Sequence, residues 1–425
     1  MVKLYRFVFL ILTCTICLQE AWSQNQSQEV HHQNQILGFH IVGDAKKVKI
    51  PFEVYNNLIV IPVILNNQLP LKFVLDTGVR TTILTDKAYS DILNMSYNRK
   101  YTIAGLGGDK LVEAYVTSGV SLTLPPGVKG KGHSMLVLEE DYLELRNYLG
   151  VNVNGILGYE IFSRFIVEVN YDTKILTLTT PEHFKKKRSY DEIPISIEDT
   201  KPYIKGHVVY NDGNELDLKL MIDSGASHGL FLEESSNPKL YIPDNHISSI
   251  LGRGLGGVLN GKIARLNRFE IGGRSWEDII ATFPEEDHVL DSIKSTSAFR
   301  NGSIGGEILS RFKVIFNFPQ EKIYLKKGRS FKKNFTYNLS GLVVKAKGSD
   351  LVNYEIVAVR DKSPGKAAGF KKGDRILSIN SISAKDMTLS NIISYLNSKE
   401  NKRLRIRVRR GDDFYTNSFR LVKQI

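Results

Sequence analysis

Apolar, β-forming runs recur along this chain in two sets of the same layout. Leu58–Leu65 and Leu71–Leu75 are joined around Asn66-Asn67, and Tyr203–Tyr210 and Leu216–Ile222 are joined by Asn211-Asp212-Gly213-Asn214. Asn and Asp-Gly pairs tolerate positive φ, so both sets predict hairpins with tight turns. Each second run ends on an aspartate, in Leu71-Lys72-Phe73-Val74-Leu75-Asp76-Thr77-Gly78 and Leu218-Lys219-Leu220-Met221-Ile222-Asp223-Ser224-Gly225. About thirty residues later each set has a glycine-rich turn between β-like stretches. The turns hold Gly105, Gly107 and Gly108 in the first set and Gly252, Gly254, Gly256 and Gly257 in the second.

The two sets are copies. Asp76 and Asp223 stand 147 positions apart, and so do Glu160 and Glu307 in the later pair Gly158–Phe165 and Gly305–Phe312. Two separated motifs with one offset mark an internal repeat. Each copy closes with paired strands, Phe165–Val169 into Leu176–Thr179 and Phe312–Phe318 into Lys322–Leu325. The chain therefore divides into a mostly β lobe over 48–183 and a second over 190–327, each within the usual size of a domain. A basic, polar stretch over 328–338 reads as a flexible linker to a third unit over 339–425. There Thr388–Asn397 predicts an amphipathic helix with Leu389, Ile392, Ile393 and Leu396 on one face.

The start has a different texture. Lys3 and Arg6 precede the apolar run Phe7–Leu18, and Ala21-Trp22-Ser23 is a small-x-small cleavage site. Residues 1–23 thus read as a signal peptide and 24–47 as a leader, which implies export to the periplasm or beyond the cell. An uncleaved anchor or a lipid attached at Cys14 or Cys17 fits less well, and no later run is long enough to span a membrane. Both cysteines fall inside the signal, so the mature chain would carry no thiol nucleophile, thiolate metal site or disulfide. The formal charge of +12 is scattered over linkers and a strand-like alternation, Arg403 to Arg409, rather than gathered into a nucleic-acid site.

An aspartate at the end of a hydrophobic strand, followed by a hydroxyl residue and glycine, is unusual to build twice. If the lobes pack about a pseudo-twofold axis, Asp76 and Asp223 meet. Two close carboxylates cannot both ionise easily, so they share a proton and can activate a water against an amide. Thr77 and Ser224 would bond across the turns, and Gly78 and Gly225 would let backbone amides approach. The glycine-rich hairpins would close over an extended peptide. No metal or cofactor is needed for such chemistry.

This pattern resembles the retropepsin-like aspartic peptidases, here as a fused two-lobe version. It is closest to the aspartyl-protease-plus-PDZ proteins of secreting bacteria such as Bacteroidetes. The resemblance implies a mainly β fold of two acid-protease lobes and an endopeptidase acting on peptides or unfolded proteins. It departs at Val79, where Ala or Ser is usual, and at Arg80, where a smaller residue is expected. The run from Ser363 to Asn380 resembles the PDZ domains of bacterial periplasmic proteases. That implies capture of C-terminal peptides by strand addition, with Ser340, Gly341 and Leu342 as the carboxylate nest.

Two other readings stay open. One is a catalytically silent peptide-binding protein, kept alive by Val79-Arg80. The other is a serine esterase, because Gly225-Ala226-Ser227-His228-Gly229 matches a nucleophile elbow and His246 and His288 are available. The first lobe has no serine at the matching position. Gly252 to Gly257 also matches a dinucleotide fingerprint, but a β-like run follows it where a helix is required.

Overall fold

A computed structural model describes residues 37–105, 107, 111–285 and 298–425. The expected signal peptide and most of the leader, with His31 and His32, lie outside the described residues, as do Gly108 and His288. The fold is mainly β. In the first lobe, Leu58–Leu65 and Leu69–Leu75 pair antiparallel. Asn66 and Asn67 turn between them with φ of 49° and 57°, and Gln68 N closes the turn on Leu65 O at 3.0 Å; asparagine tolerates these positive values. In the second lobe Lys201–Val209 and Glu215–Ile222 pair in the same way. In each lobe a short strand then runs parallel to the aspartate strand, Gly155–Leu157 beside Leu69–Leu75 and Gly302–Ile304 beside Glu215–Ile222.

A six-stranded sheet joins the lobes. It takes Lys47–Pro51, Ile166–Asn170 and Ile175–Thr179 from the first and Asp191–Pro194, Phe312–Asn317 and Lys322–Lys327 from the second. At its centre Ile166–Asn170 pairs antiparallel with Phe312–Asn317. Phe162 stacks on Phe318 at 5.2 Å between ring centres and meets Phe316 edge-on at 5.3 Å. Continuous hydrogen bonding and a shared aromatic core leave the lobes no hinge here.

Two expectations need correction. The leader was expected to reach residue 47, but Gly38–Ile41 is a strand paired with Val128–Leu138, and Phe39 is buried between lobe elements. The first lobe therefore begins at Gly38, not at Val48. The stretch 328–338 is not a loose linker. Phe331, Phe335 and Tyr337 are buried. Trp276 Nε1 donates to Phe331 O at 3.1 Å, and the Arg311 guanidinium lies 3.6 Å from the centre of the Phe335 ring. At roughly 1.5–3 kcal/mol per buried aromatic, as an upper bound, lifting this strap off would cost several kcal/mol. It is a fixed brace.

The brace leads into a sheet of Leu342–Lys347, Asn353–Val359, Arg375–Ile379, Arg403–Arg410 and Asp413–Arg420. The predicted helix spans Leu389–Leu396, with a capping box between Thr388 and Asn391 at its start. Strand Leu342–Lys347 also touches the first lobe. Asn147 Nδ2 donates to Ala346 O at 2.8 Å, and Lys345 pairs with Glu144. Gly150, at φ 68°, leaves no room for a side chain, since a Cβ there would lie 2.6 Å from Leu389 Cβ.

Candidate active site

Each aspartate sits where its strand ends and the parallel strand fixes the backbone. Asp76 N donates to Leu157 O and Asp223 N to Ile304 O, both at 2.9 Å. The turns then lock together. Thr77 N donates to Ser224 Oγ and Ser224 N to Thr77 Oγ1, each at 3.0 Å. Their hydroxyls donate onward to the opposite strands, Thr77 Oγ1 to Ile222 O at 2.6 Å and Ser224 Oγ to Leu75 O at 2.8 Å. Four buried bonds across a twofold leave the two turns one mutual placement.

That placement puts the carboxyls together. Gly78 N donates to Asp76 Oδ1 at 2.6 Å and Gly225 N to Asp223 Oδ1 at 3.0 Å. Each glycine also faces the opposite aspartate. A Cβ on Gly225 would lie 2.1 Å from Asp76 Oδ2, and one on Gly78 would lie 3.5 Å from Asp223 Oδ1. Burial, and then the charge of Asp223, push the Asp76 carboxyl up to about 8. Burial raises Asp223 too, while the Arg300 cation opposes the rise. Two close carboxyls with both values raised share a single proton between them.

The second glycine hairpin lines the cavity that holds Asp223, and the first meets it at the tip. The first is Arg99–Ala104 with Leu111–Leu124, the second His246–Gly254 with Gly257–Ile271. A Cβ on Gly105 would meet Leu255 Cβ at 2.3 Å, and one on Gly107 would meet Gly257 O at 2.3 Å. Only glycine permits that approach. Leu255 packs into a first-lobe cluster with Val79, Ile83 and Ile156. Arg253 Nε donates to Tyr142 O at 2.8 Å, and its guanidinium pairs with Glu144 at 3.3 Å. The second hairpin is thus latched onto the first lobe.

The departures at Val79 and Arg80 leave the backbone pairing of the turn matched between the lobes. Val79 O accepts from Tyr159 N at 2.9 Å, as Ala226 O accepts from Gly306 N at 2.7 Å. The backbone role is kept, and the Val79 side chain joins the apolar cluster that receives Leu255. Arg80 is exposed and pairs with Asp199 at 3.6 Å. The elbow reading of Ser227 lacks its geometry, because a strand, Leu230–Leu232, follows where a helix is required. Among the described residues no histidine bonds the Ser227 hydroxyl. His246 Nδ1 lies 2.8 Å from Pro243 O and His228 Nε2 lies 3.0 Å from Ser303 Oγ. Burial pushes His228 down to about 4, so it is neutral. The fingerprint at Gly252–Gly257 lies within the second hairpin. Among the described residues no three His, Cys, Asp or Glu side chains cluster as a metal site.

Arg300 was missed from sequence. It pairs with buried Glu233 at 2.8 Å and lines a cavity of about 450 Å³ together with Asp223 and His228. Asn154 and Asn301 were missed as well. Their side-chain oxygens accept from Lys72 N at 3.1 Å and Lys219 N at 2.9 Å, which splints the two aspartate strands. Their 147-residue spacing was there to be read.

The expected carboxylate nest is closed from within. Asn338 Oδ1 accepts from Ser340 N and Gly341 N, both at 3.0 Å, and Leu342 N donates to Ser340 Oγ at 3.1 Å. No amide of Ser340, Gly341 or Leu342 is left for a ligand carboxylate, a correction to the sequence reading.

Comparison with known families agrees with this architecture. Residues 61–161 match the family model described as aspartyl protease, and residues 355–410 match that of the PDZ domain. The chain therefore carries a retropepsin-like aspartyl protease domain and, after it, a PDZ domain. No curated protein matches the chain. Among the described residues no helix is long and apolar enough to cross a membrane.

Proposed function

We propose that this chain is an exported aspartic endopeptidase that hydrolyses extended or unfolded polypeptides with a water held between Asp76 and Asp223. The observation that carries the reading is the reciprocal lock of Thr77 and Ser224, which faces two carboxyls of raised pKa beside meeting hairpins. Arg300 favours the charge on Asp223, leaving the proton on Asp76. Water oxygen bonds to the amide carbon as Asp223 takes one of its protons, while Asp76 gives its proton to the carbonyl oxygen. The C–N bond then breaks. Asp223 protonates the leaving nitrogen and a hydroxyl of the intermediate returns a proton to Asp76, so the pair ends as it began.

Digestion of casein by the wild type, and its loss in both Asp76→Asn and Asp223→Asn with folding retained, is the expected result. Cleavage by either Asn variant would overturn the assignment. Export rests on residues 1–23, and N-terminal sequencing of protein from the native host should begin near Gln24.

A further inference from the structure

The PDZ domain does not hang beside the peptidase; its groove opens into the catalytic cavity. The cavity that holds Asp223 and Arg300 is walled on its far side by Leu342, Val343 and Val344 of the first PDZ strand and by Ile393, Leu396 and Asn397 of the helix end. In a PDZ domain these two elements frame the groove into which a peptide strand is added.

Long strand addition is blocked here. Along the groove edge, Asn338 Nδ2 donates to Leu342 O at 2.7 Å and Asn147 Nδ2 to Ala346 O at 2.8 Å. Between these brackets stands Val344. Its cross-strand neighbour Ile356 donates N–H to Asp374 O and accepts from Gly373 N, both at 2.8 Å and both on the other side. Backbone groups alternate along a strand, so the Val344 N–H and C=O face the groove with Leu342 O and Ala346 O. One open rung remains, over an apolar floor. Beside it, Asn397 Oδ1 is buried without a hydrogen-bond partner, an acceptor that costs free energy until a donor arrives.

We propose that the Val344 rung, with Ile393, Leu396 and Asn397, is a subsite of the peptidase cleft. It holds one apolar side chain, and the extended backbone around it, of the same polypeptide that reaches Asp223. The proposal rests on the peptidase reading for its substrate. It differs from carboxylate capture: with the nest closed by Asn338, the bound segment is internal to the substrate, and a free C-terminus is not needed. The substrate class narrows to chains with an apolar residue at a set distance from the scissile bond.

The test is binding of acetylated, C-terminally amidated dodecapeptides to full-length Asp223→Asn, with Leu or Asp scanned through each position and read by competition against a fluorescent peptide. One position away from the scissile pair should prefer Leu over Asp roughly tenfold, the scale of burying one aliphatic side chain. Ile393→Asp in the same background should erase that preference, and replacing the amide by a free carboxylate should change affinity less than twofold. The scan of the peptide keeps the test valid if the Ile393 variant folds poorly. No outer position with a Leu preference, or binding that demands a free carboxylate, would overturn the subsite. A Leu preference in a protein whose wild type cleaves no casein would support the subsite and sink the peptidase reading alone.

Discussion

Arg300 stands in the second lobe where Val153 stands in the first. Their neighbours prove the match, for Asn154 N donates to Lys72 O and Asn301 N to Lys219 O, both at 2.8 Å. Val153 packs among Leu58, Val60 and Leu149, whereas Arg300 pairs with Glu233 beside the cavity. The twofold is thereby broken beside the aspartates, by a cation whose charge opposes the rise of Asp223.

Replacing that cation should move the acid side of the activity profile. Without it Asp223 ionises less readily, so Arg300→Gln should shift the lower limb of kcat/KM upward by about one pH unit. Arg300→Lys should restore it in large part. An unchanged limb in Arg300→Gln would show that the charge does not reach the pair.

The buried pair also makes stability depend on pH, with a definite sign. The ordinary value for Asp76 is 3.8 and folding pushes it up to about 8. Its contribution is therefore full below about pH 4 and is lost as pH rises through about 8. Asp76→Asn cannot ionise, so its Tm should gain on the wild type as pH rises, by several degrees at pH 9. Thermal melts between pH 4 and 9 check this; a gap that does not grow would mean that Asp76 is not held protonated.

The hairpin tips invite a test that spares the chemistry. Gly257 has φ 134°, and a Cβ there would lie 2.7 Å from Gly107 O. Gly257→Ala should part the tips and lower kcat about tenfold, because misplaced substrate loses far more rate than binding. Its melting temperature should stay close to that of the wild type, since the tip lies outside the core. An equal loss of stability and rate would make the contact structural.

Much of this was legible because local chemistry and long-range pairing agreed. The Asn66-Asn67 turn, the repeated Asp-Thr/Ser-Gly and the helix face of Leu389, Ile392 and Leu396 each announce themselves within a few residues. What was hidden depends on partners distant in sequence. Phe331 and Phe335 read as two aromatics in a basic linker until Trp276 and Arg311 arrive from the second lobe. Arg300 was invisible to the repeat because it is where the repeat fails. Ser340-Gly341-Leu342 offered a nest whose occupant, Asn338, was only two residues away, but Asn338 could be read as its occupant only once the turn had a shape.

The closed nest and fixed brace together reverse what a loosely tethered PDZ module would do. Such a module would capture chain ends, so its loss would weaken cleavage of long substrates only, and amidating the substrate would mimic that loss. Here Glu144 of the first lobe pairs with both Lys345 of the PDZ strand and Arg253 of the latched hairpin. Glu144→Gln should therefore loosen a cleft wall and its cover at once. The expected effect is a two- to fivefold rise in KM, the scale of partly exposed ion pairs, and it should be the same for an octapeptide and for casein. Amidating the peptide's C-terminus should leave kcat/KM unchanged in wild type and variant alike. A KM defect confined to casein, or one reproduced by amidation, would mean that the PDZ domain fishes for chain ends after all.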